Sequence, residues 1–248
     1  MPMRRAVSAV MRACDDEDRV ADAATALRDA LAACTEEFEI VLVDDGSTDG
    51  TAQRIGALCE QHRQLRTIRH DAPLGLGACL RDGAAAARLP LVLQTEATAR
   101  VDLGGLPRML DEIERHDLVL GYRTKRLDGP GRRLASWAMR QLAATIFGVY
   151  ARDAACPVKL YRRKVLKHVP IESRGRFVHV EVIAKANVLG YRIGESALEP
   201  QPPQKESRPE ACRSEAGQVL RDAWAMFRRF ELAPDPTARR DAPVQDTE

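Results

Sequence analysis

Short, nearly continuous apolar runs alternate along the first half of the chain with segments whose apolar positions recur at helical spacing. That rhythm predicts strand, helix, strand, helix. Residues 6–11 (AVSAVM) read as a first strand, and Val20, Ala24, Leu27 and Leu31 mark one face of a helix opened by the acids Asp15 to Asp18. A second strand over 39–43 leads to a helix over 51–62, capped by Thr48 or Asp49. A third strand (66–70), a glycine-opened helix (75–88) and a fourth strand (89–94) follow. Leu106, Met109, Leu110 and Ile113 then share one side of a helix over 106–115, and DLVLGY (117–122) forms a further strand.

Alternation with short connections predicts an α/β fold, a mostly parallel twisted sheet with helices on both faces. Right-handed crossovers bring the strand carboxyl ends to one rim, where ligands bind in such sheets. The rim residues are then Asp44 and Asp45, His70 and Asp71, Gln94 to Glu96, and Tyr122 and Arg123. Beyond residue 123 the pattern loosens into a Gly/Pro turn at 128–131, a helix over 133–147, a strand near 158–162, a helix over 178–189 and a strand within 191–198. One domain over 1–199 is expected. A Pro-rich linker and an amphipathic helix occupy 200–231, and a polar, disordered tail occupies 232–248.

Composition narrows the function. Charged residues make up 30% of the chain but the net charge is only +2, which gives no bulk drive toward nucleic acid, and 4% aromatics are too few for a base-stacking platform. The cysteines (Cys14, Cys34, Cys59, Cys79, Cys156, Cys212) form no CxxC pair, as expected of reduced, mostly buried thiols. No apolar run approaches the roughly 20 residues that span a bilayer, and the opening segment is too interrupted for a signal peptide. A soluble, cytoplasmic chain is expected. The last helix sets Trp224, Phe227 and Phe230 beside Arg221, Arg228 and Arg229, which suits either packing on the sheet or peripheral contact with the inner face of a membrane.

The segment 38–51, FEIVLVDDGSTDGT, carries the chemistry. Asp45, Ser47, Asp49 and Gly50 imitate the opening of a calcium loop, but Gly56 stands where a bidentate carboxylate is required. A phosphatase nucleophile is excluded by Val43. Helix capping explains Ser47, Thr48 and Asp49, but it does not call for both Asp44 and Asp45.

VDDGSTDGT after a buried strand resembles the nucleotide-sugar signature of family 2 glycosyltransferases, in particular the dolichyl- and polyprenyl-phosphate sugar synthases. VSAVMRACDDEDRV, HDAPLGLGACLRDGAAAA, GYRTKRLDGPGRRLAS, DAACPVKLYRRKVL and RGRFVHVEVIAKANVLGYRIGE resemble further segments of that family, in order, between about residues 7 and 199. The resemblance implies the glycosyltransferase A (GT-A) fold and inverting transfer of a sugar from a nucleotide-diphosphate donor to an acceptor such as a polyprenyl phosphate. It assigns the nucleoside to Asp16, Asp44 and Asp45, with Gly75 at the glycine-opened helix. Phosphate and acceptor contacts fall to Arg123, Arg133, Ser136 and Glu181. Arginine suits phosphate because its planar fork bonds two oxygens.

The family's metal-binding D-x-D falls on Gln94, Thr95 and Glu96, so a divalent cation (Mg or Mn) would rest on Glu96. An amide is a poorer ligand than a carboxylate for a hard cation. Arg12, Cys14, Asp15 and Asp16 also depart from the family's proline, aromatic, asparagine and glutamate. No general base stands out, as suits a phosphate acceptor that is already anionic. The alternative is a catalytically impaired member kept as a nucleotide-binding or protein-interaction module. A nucleotidyltransferase lacks its Gly-rich phosphate loop.

Overall fold

The computed structural model describes residues 5–99, 101–125, 148, 151–201 and 221. Seven strands form one sheet in the order β3-β2-β1-β4-β6-β5-β7. They are β1 (Ala6–Ala13), β2 (Glu37–Asp44), β3 (Leu65–Arg69), β4 (Leu91–Glu96), β5 (Leu118–Arg123), β6 (Lys159–Arg162) and β7 (Ile193–Leu198). Every pairing is parallel except those of β6, which runs against both β4 and β5. The helices are α1 (Val20–Cys34), α2 (Thr51–Gln61), α3 (Leu76–Ala86), α4 (Leu106–Glu112), α5 (Arg163–His168) and α6 (Val178–Val188).

Strand alternation divides the core between the two faces of the sheet. Val7, Ala9, Met11 and Ala13 of β1 pack with α1, α2 and α4, and Val20, Ala24, Leu27 and Leu31 are all fully buried there. Each such Leu or Val contributes roughly 1.5–3 kcal/mol of burial. Val10 turns to the other face with Val41, Val43, Val92 and Cys79 of α3. A Cβ at Gly83 would strike Val10, so α3 lies against the strand at a distance only glycine permits.

The parallel elements match the sequence pattern closely, and the differences have local causes. The acids 15–18 do not open α1, which begins at Val20; Asp15 and Glu17 bind the loop between β2 and α2 instead. β4 extends through Glu96, so Gln94, Thr95 and Glu96 are buried strand residues rather than loop. The expected helix over 106–115 is a 3-10 turn at Leu103–Gly105 followed by the shorter α4. α5 was not expected, being a short run with few apolar positions. The expected helices over 133–147 and 213–230, the linker and the tail lie outside the described residues.

Strand order reverses between β1 and β4: β2 and β3 extend to one side of β1, and β4 lies on the other. Such a switch point opens a crevice at the strand carboxyl ends. β6, being antiparallel, brings its first residue, Lys159, toward the same rim.

Candidate nucleotide-sugar site

Two loops form one wall of the crevice, and they hold each other. Asp15 adopts φ +52°, a conformation Asp tolerates, and its Oδ1 accepts bonds from the Thr48 amide (2.8 Å) and hydroxyl (3.2 Å). In return the Asp15 amide donates to Ser47 Oγ (3.0 Å) and the Asp16 amide to Thr51 Oγ1 (2.8 Å). Asp49 caps α2 by accepting the Thr51 amide (3.0 Å), while Glu17 accepts the Gly50 amide (2.8 Å). Asp16 is itself buried, with Oδ2 accepting the Cys14 amide (3.0 Å).

The adjacent aspartates have separate roles. Asp45 is wholly buried: Oδ1 accepts from His70 Nδ1 (3.0 Å) and the Leu74 amide (2.8 Å), and Oδ2 from Arg12 Nε (3.0 Å) and the Gly75 amide (3.1 Å). Burial alone would push its carboxyl up, but the His70 bond, the Arg12 charge and the Leu74 amide hold it below the ordinary aspartate value. Asp44 accepts the Ser47 amide at Oδ1 (3.0 Å), and its Oδ2 has no hydrogen-bond partner, with Arg69 Nε 3.6 Å away. The pair therefore comprises one acid used by the protein and one with acceptor capacity left over.

Gly75 stands at φ +93° with the Arg174 carbonyl against it, so a Cβ there would be both strained and in collision. The Gly77 amide donates to that carbonyl (2.8 Å), which seats the 173–176 loop on the start of α3. The other end of that loop is held by Glu181, whose carboxylate accepts the amides of Glu172 (3.0 Å) and Ser173 (2.9 Å) and the Lys185 ammonium (2.6 Å). Glu181 is 1% exposed, and it holds the main chain just before Arg174.

At the switch point Arg12 of β1 is opposite Glu96 of β4. Burial would lower the Arg12 pKa, but Glu96 and Asp45 raise it overall. Glu96 is also faced by Arg176 Nη2 (3.5 Å) and His179 Nε2 (3.8 Å). Beneath them Lys159 Nζ donates to the Cys156 carbonyl (2.5 Å) and to His179 Nδ1 (2.9 Å). Burial lowers the ammonium to about 8. Burial and then the charges of Lys159, Arg176 and Arg123 hold His179 well below its usual range, so the ring is neutral and carries its proton on Nε2, toward Glu96. Arg123 forms a fork on Asp153, with Nε 2.7 Å and Nη2 3.1 Å from the two oxygens.

A hard divalent cation takes oxygen ligands, carboxylates above all. At 94–96 only Glu96 offers one. Gln94 Oε1 accepts the Tyr161 hydroxyl (2.8 Å), its Nε2 is a donor, and Glu96 is ringed by the cations Arg12 and Arg176 and the His179 N–H. These residues do not fit such an ion. Asp45, His70 and Cys79 bring ligand-type atoms within 4.8 Å of one another. Arg12 and two backbone amides already share Asp45 with His70, and burial pushes the Cys79 thiol up and keeps it protonated.

Of the sequence-expected residues, Asp16, Asp44, Asp45, Gly75, Glu96 and Arg123 lie at the strand ends or the loops that follow them. Glu181 lies behind them on α6. Arg133 and Ser136 lie outside the described residues. Lys159 and Arg176 were not expected in the site; Arg12 was expected there only as a departure from the family's proline, and His179 only as a structural or surface residue near the rim. The sequence signal for Arg12 and Lys159 is a cation inside an otherwise apolar strand.

Residues 8–173 match the family model described as glycosyl transferase family 2. The chain is 30% identical over 197 residues to dodecaprenyl-phosphate galacturonate synthase of Rhizobium johnstonii, covering 77% of this chain and 58% of that protein. It is 29% identical to undecaprenyl-phosphate 4-deoxy-4-formamido-L-arabinose transferase of Pseudomonas aeruginosa, covering 64% and 48%. Against undecaprenyl-phosphate mannosyltransferase of Micrococcus luteus it is 27% identical, covering 68% and 72%. It thus spans only about half the length of the first two of these relatives. Among solved structures, glucosyl-3-phosphoglycerate synthase of Mycobacterium tuberculosis, solved with Mn2+, UDP-glucose and phosphoglyceric acid, superposes with a TM-score of 0.67 at 20% identity, over 93% of this chain and 81% of that one. That likeness establishes the GT-A fold. With the family model covering most of the chain, the protein belongs to glycosyl transferase family 2.

Proposed function

We propose that the chain transfers a sugar from a nucleotide-diphosphate donor to a polyprenyl-phosphate acceptor, with the unit over 1–199 carrying the reaction. The observation that carries this reading is the set of groups at the strand carboxyl ends: Asp44 has an oxygen without a hydrogen bond, and the guanidiniums of Arg12 and Arg176 are partly exposed. An acid reads nucleoside N–H or hydroxyl groups, and guanidiniums bind diphosphate oxygens. The acceptor follows from relatives whose names place their chemistry on dodecaprenyl and undecaprenyl phosphates.

In this reading Asp44 and Asp16 bind the nucleoside, and Asp45 holds Arg12, His70 and the Gly75 turn in position. Arg123, with Arg133 and Ser136, meets the acceptor phosphate. A phosphate oxygen attacks the anomeric carbon directly, the nucleoside diphosphate leaves, and the anomeric configuration inverts. Because the attacking oxygen is anionic near neutral pH, no residue need remove a proton. No described helix is long and apolar enough to cross a membrane.

Transfer is tested with radiolabelled UDP- and GDP-sugars and undecaprenyl phosphate in detergent. Label moving into the lipid phase supports the reading; donor binding without transfer to any polyprenyl phosphate rejects it. That second outcome is the one expected of a nucleotide-binding module, which the Gln94 amide in place of a carboxylate favours.

A further inference from the structure

Resting on the reading that the donor is a nucleotide diphosphate, we propose that this chain binds the donor diphosphate without a divalent cation, using the guanidinium groups of Arg12 and Arg176 as the fixed positive charge.

The geometry supplies both the absence and the replacement. The segment where the family keeps two metal-binding carboxylates has a single one, Glu96, and that carboxylate faces Arg176 at 3.5 Å and His179 at 3.8 Å and is opposite Arg12. A dication entering here meets two guanidiniums and the edge of a neutral imidazole. Gln94 offers only an amide oxygen, which already accepts the Tyr161 hydroxyl and is a poorer ligand than a carboxylate for a hard cation.

The two guanidiniums are built to stay in place. Arg12 puts Nε and Nη2 each 3.0 Å from Asp45 Oδ2, and its side chain remains 18% exposed. Arg176 is 29% exposed and follows a segment bonded to Glu181 through the Glu172 and Ser173 amides and to α3 through the Arg174 carbonyl, and its own carbonyl accepts the His179 amide. Asp45 and Glu96 balance these two charges, and the buried Lys159 adds to them. Preorganised charge of this kind stabilises an incoming diphosphate without reorganisation, which is the service a bound cation performs elsewhere. Glu96 is then a positioning residue for Arg176 and not a metal ligand.

Calorimetry on the full chain tests this with UDP, GDP, CDP, ADP and TDP, each in EDTA and again in Mn2+ or Mg2+. The expected result is one nucleotide whose Kd agrees within about threefold with and without metal, as fixed charge requires. Arg176→Ala should weaken binding in EDTA about tenfold or more, and Arg12→Lys should weaken it while thermal melting shows the chain folded. Glu96→Gln should weaken metal-free binding rather than remove a metal effect. Binding that appears only with metal overturns the proposal while leaving nucleotide binding intact. Binding unchanged in both arginine variants also overturns it. Failure of every nucleotide in both conditions overturns the donor reading and this proposal with it.

Discussion

Arg12 directs both Nε and Nη2 to a single oxygen of Asp45, 3.0 Å from each, so the second acid of the VDDG segment serves the protein before it serves a ligand. The first acid, Asp44, is one residue away and keeps an oxygen without a hydrogen bond.

Asp45→Asn should therefore destabilise the chain by about 3 kcal/mol in urea denaturation, the cost of leaving a largely buried guanidinium without its counter-charge. Asp44→Asn should cost far less stability and abolish nucleotide binding. Equal stability losses in the two variants would reject the division of roles.

The same carboxylate sets an acid limb. Its pKa in the folded chain lies below the ordinary aspartate value, so its stabilisation is present above about pH 4 and is lost as pH falls through the folded value. Between pH 5 and 2 the wild-type chain should lose more stability than Asp45→Asn, read from denaturation midpoints at each pH.

Lys159 predicts a limb of the same sign at alkaline pH. Burial lowers its folded pKa from 10.5 to about 8, so between those values the unfolded chain binds the proton more tightly. Stability attributable to this residue should rise as pH climbs from 8 to 10. Lys159→Met removes that slope, and parallel curves for wild type and variant would contradict it.

Glu181→Ala leaves the amides of Glu172 and Ser173 and the Lys185 ammonium without their shared acceptor. A loss of about 1–3 kcal/mol is expected, with faster hydrogen exchange over 172–177 and weaker nucleotide binding through Arg176. Unchanged exchange in that loop would show that Glu181 does not hold it.

Gly75→Ala should destabilise by about 1–3 kcal/mol, because φ +93° and the Arg174 carbonyl leave no room for a methyl group. Thermal melting measures the loss. A neutral result would mean that the Asp45 to Gly75 turn can be rebuilt.

Periodicity was enough to read β1 through β5 and the helices between them, since each buries an apolar face whose spacing is set locally. The family segments were equally legible as strings of residues. Which side chains meet was not. Glu181 looked like an acceptor-side acid and turned out to anchor a loop through main-chain amides eight and nine residues before it. The acids 15–18 read as a helix opening, yet Asp15 and Glu17 among them bind a loop more than thirty residues away.

The alternation of elements, the family and two aspartates at the carboxyl end of β2 are written in residue type and short-range spacing. The reversed β6 that brings Lys159 under His179, the closing of Arg12 on Asp45, and the facing of Glu96 by Arg12 and Arg176 arise from the folded chain. Those contacts join residues 20 to 80 positions apart, and burial with charge pairing across strands, which no local pattern encodes, selects them.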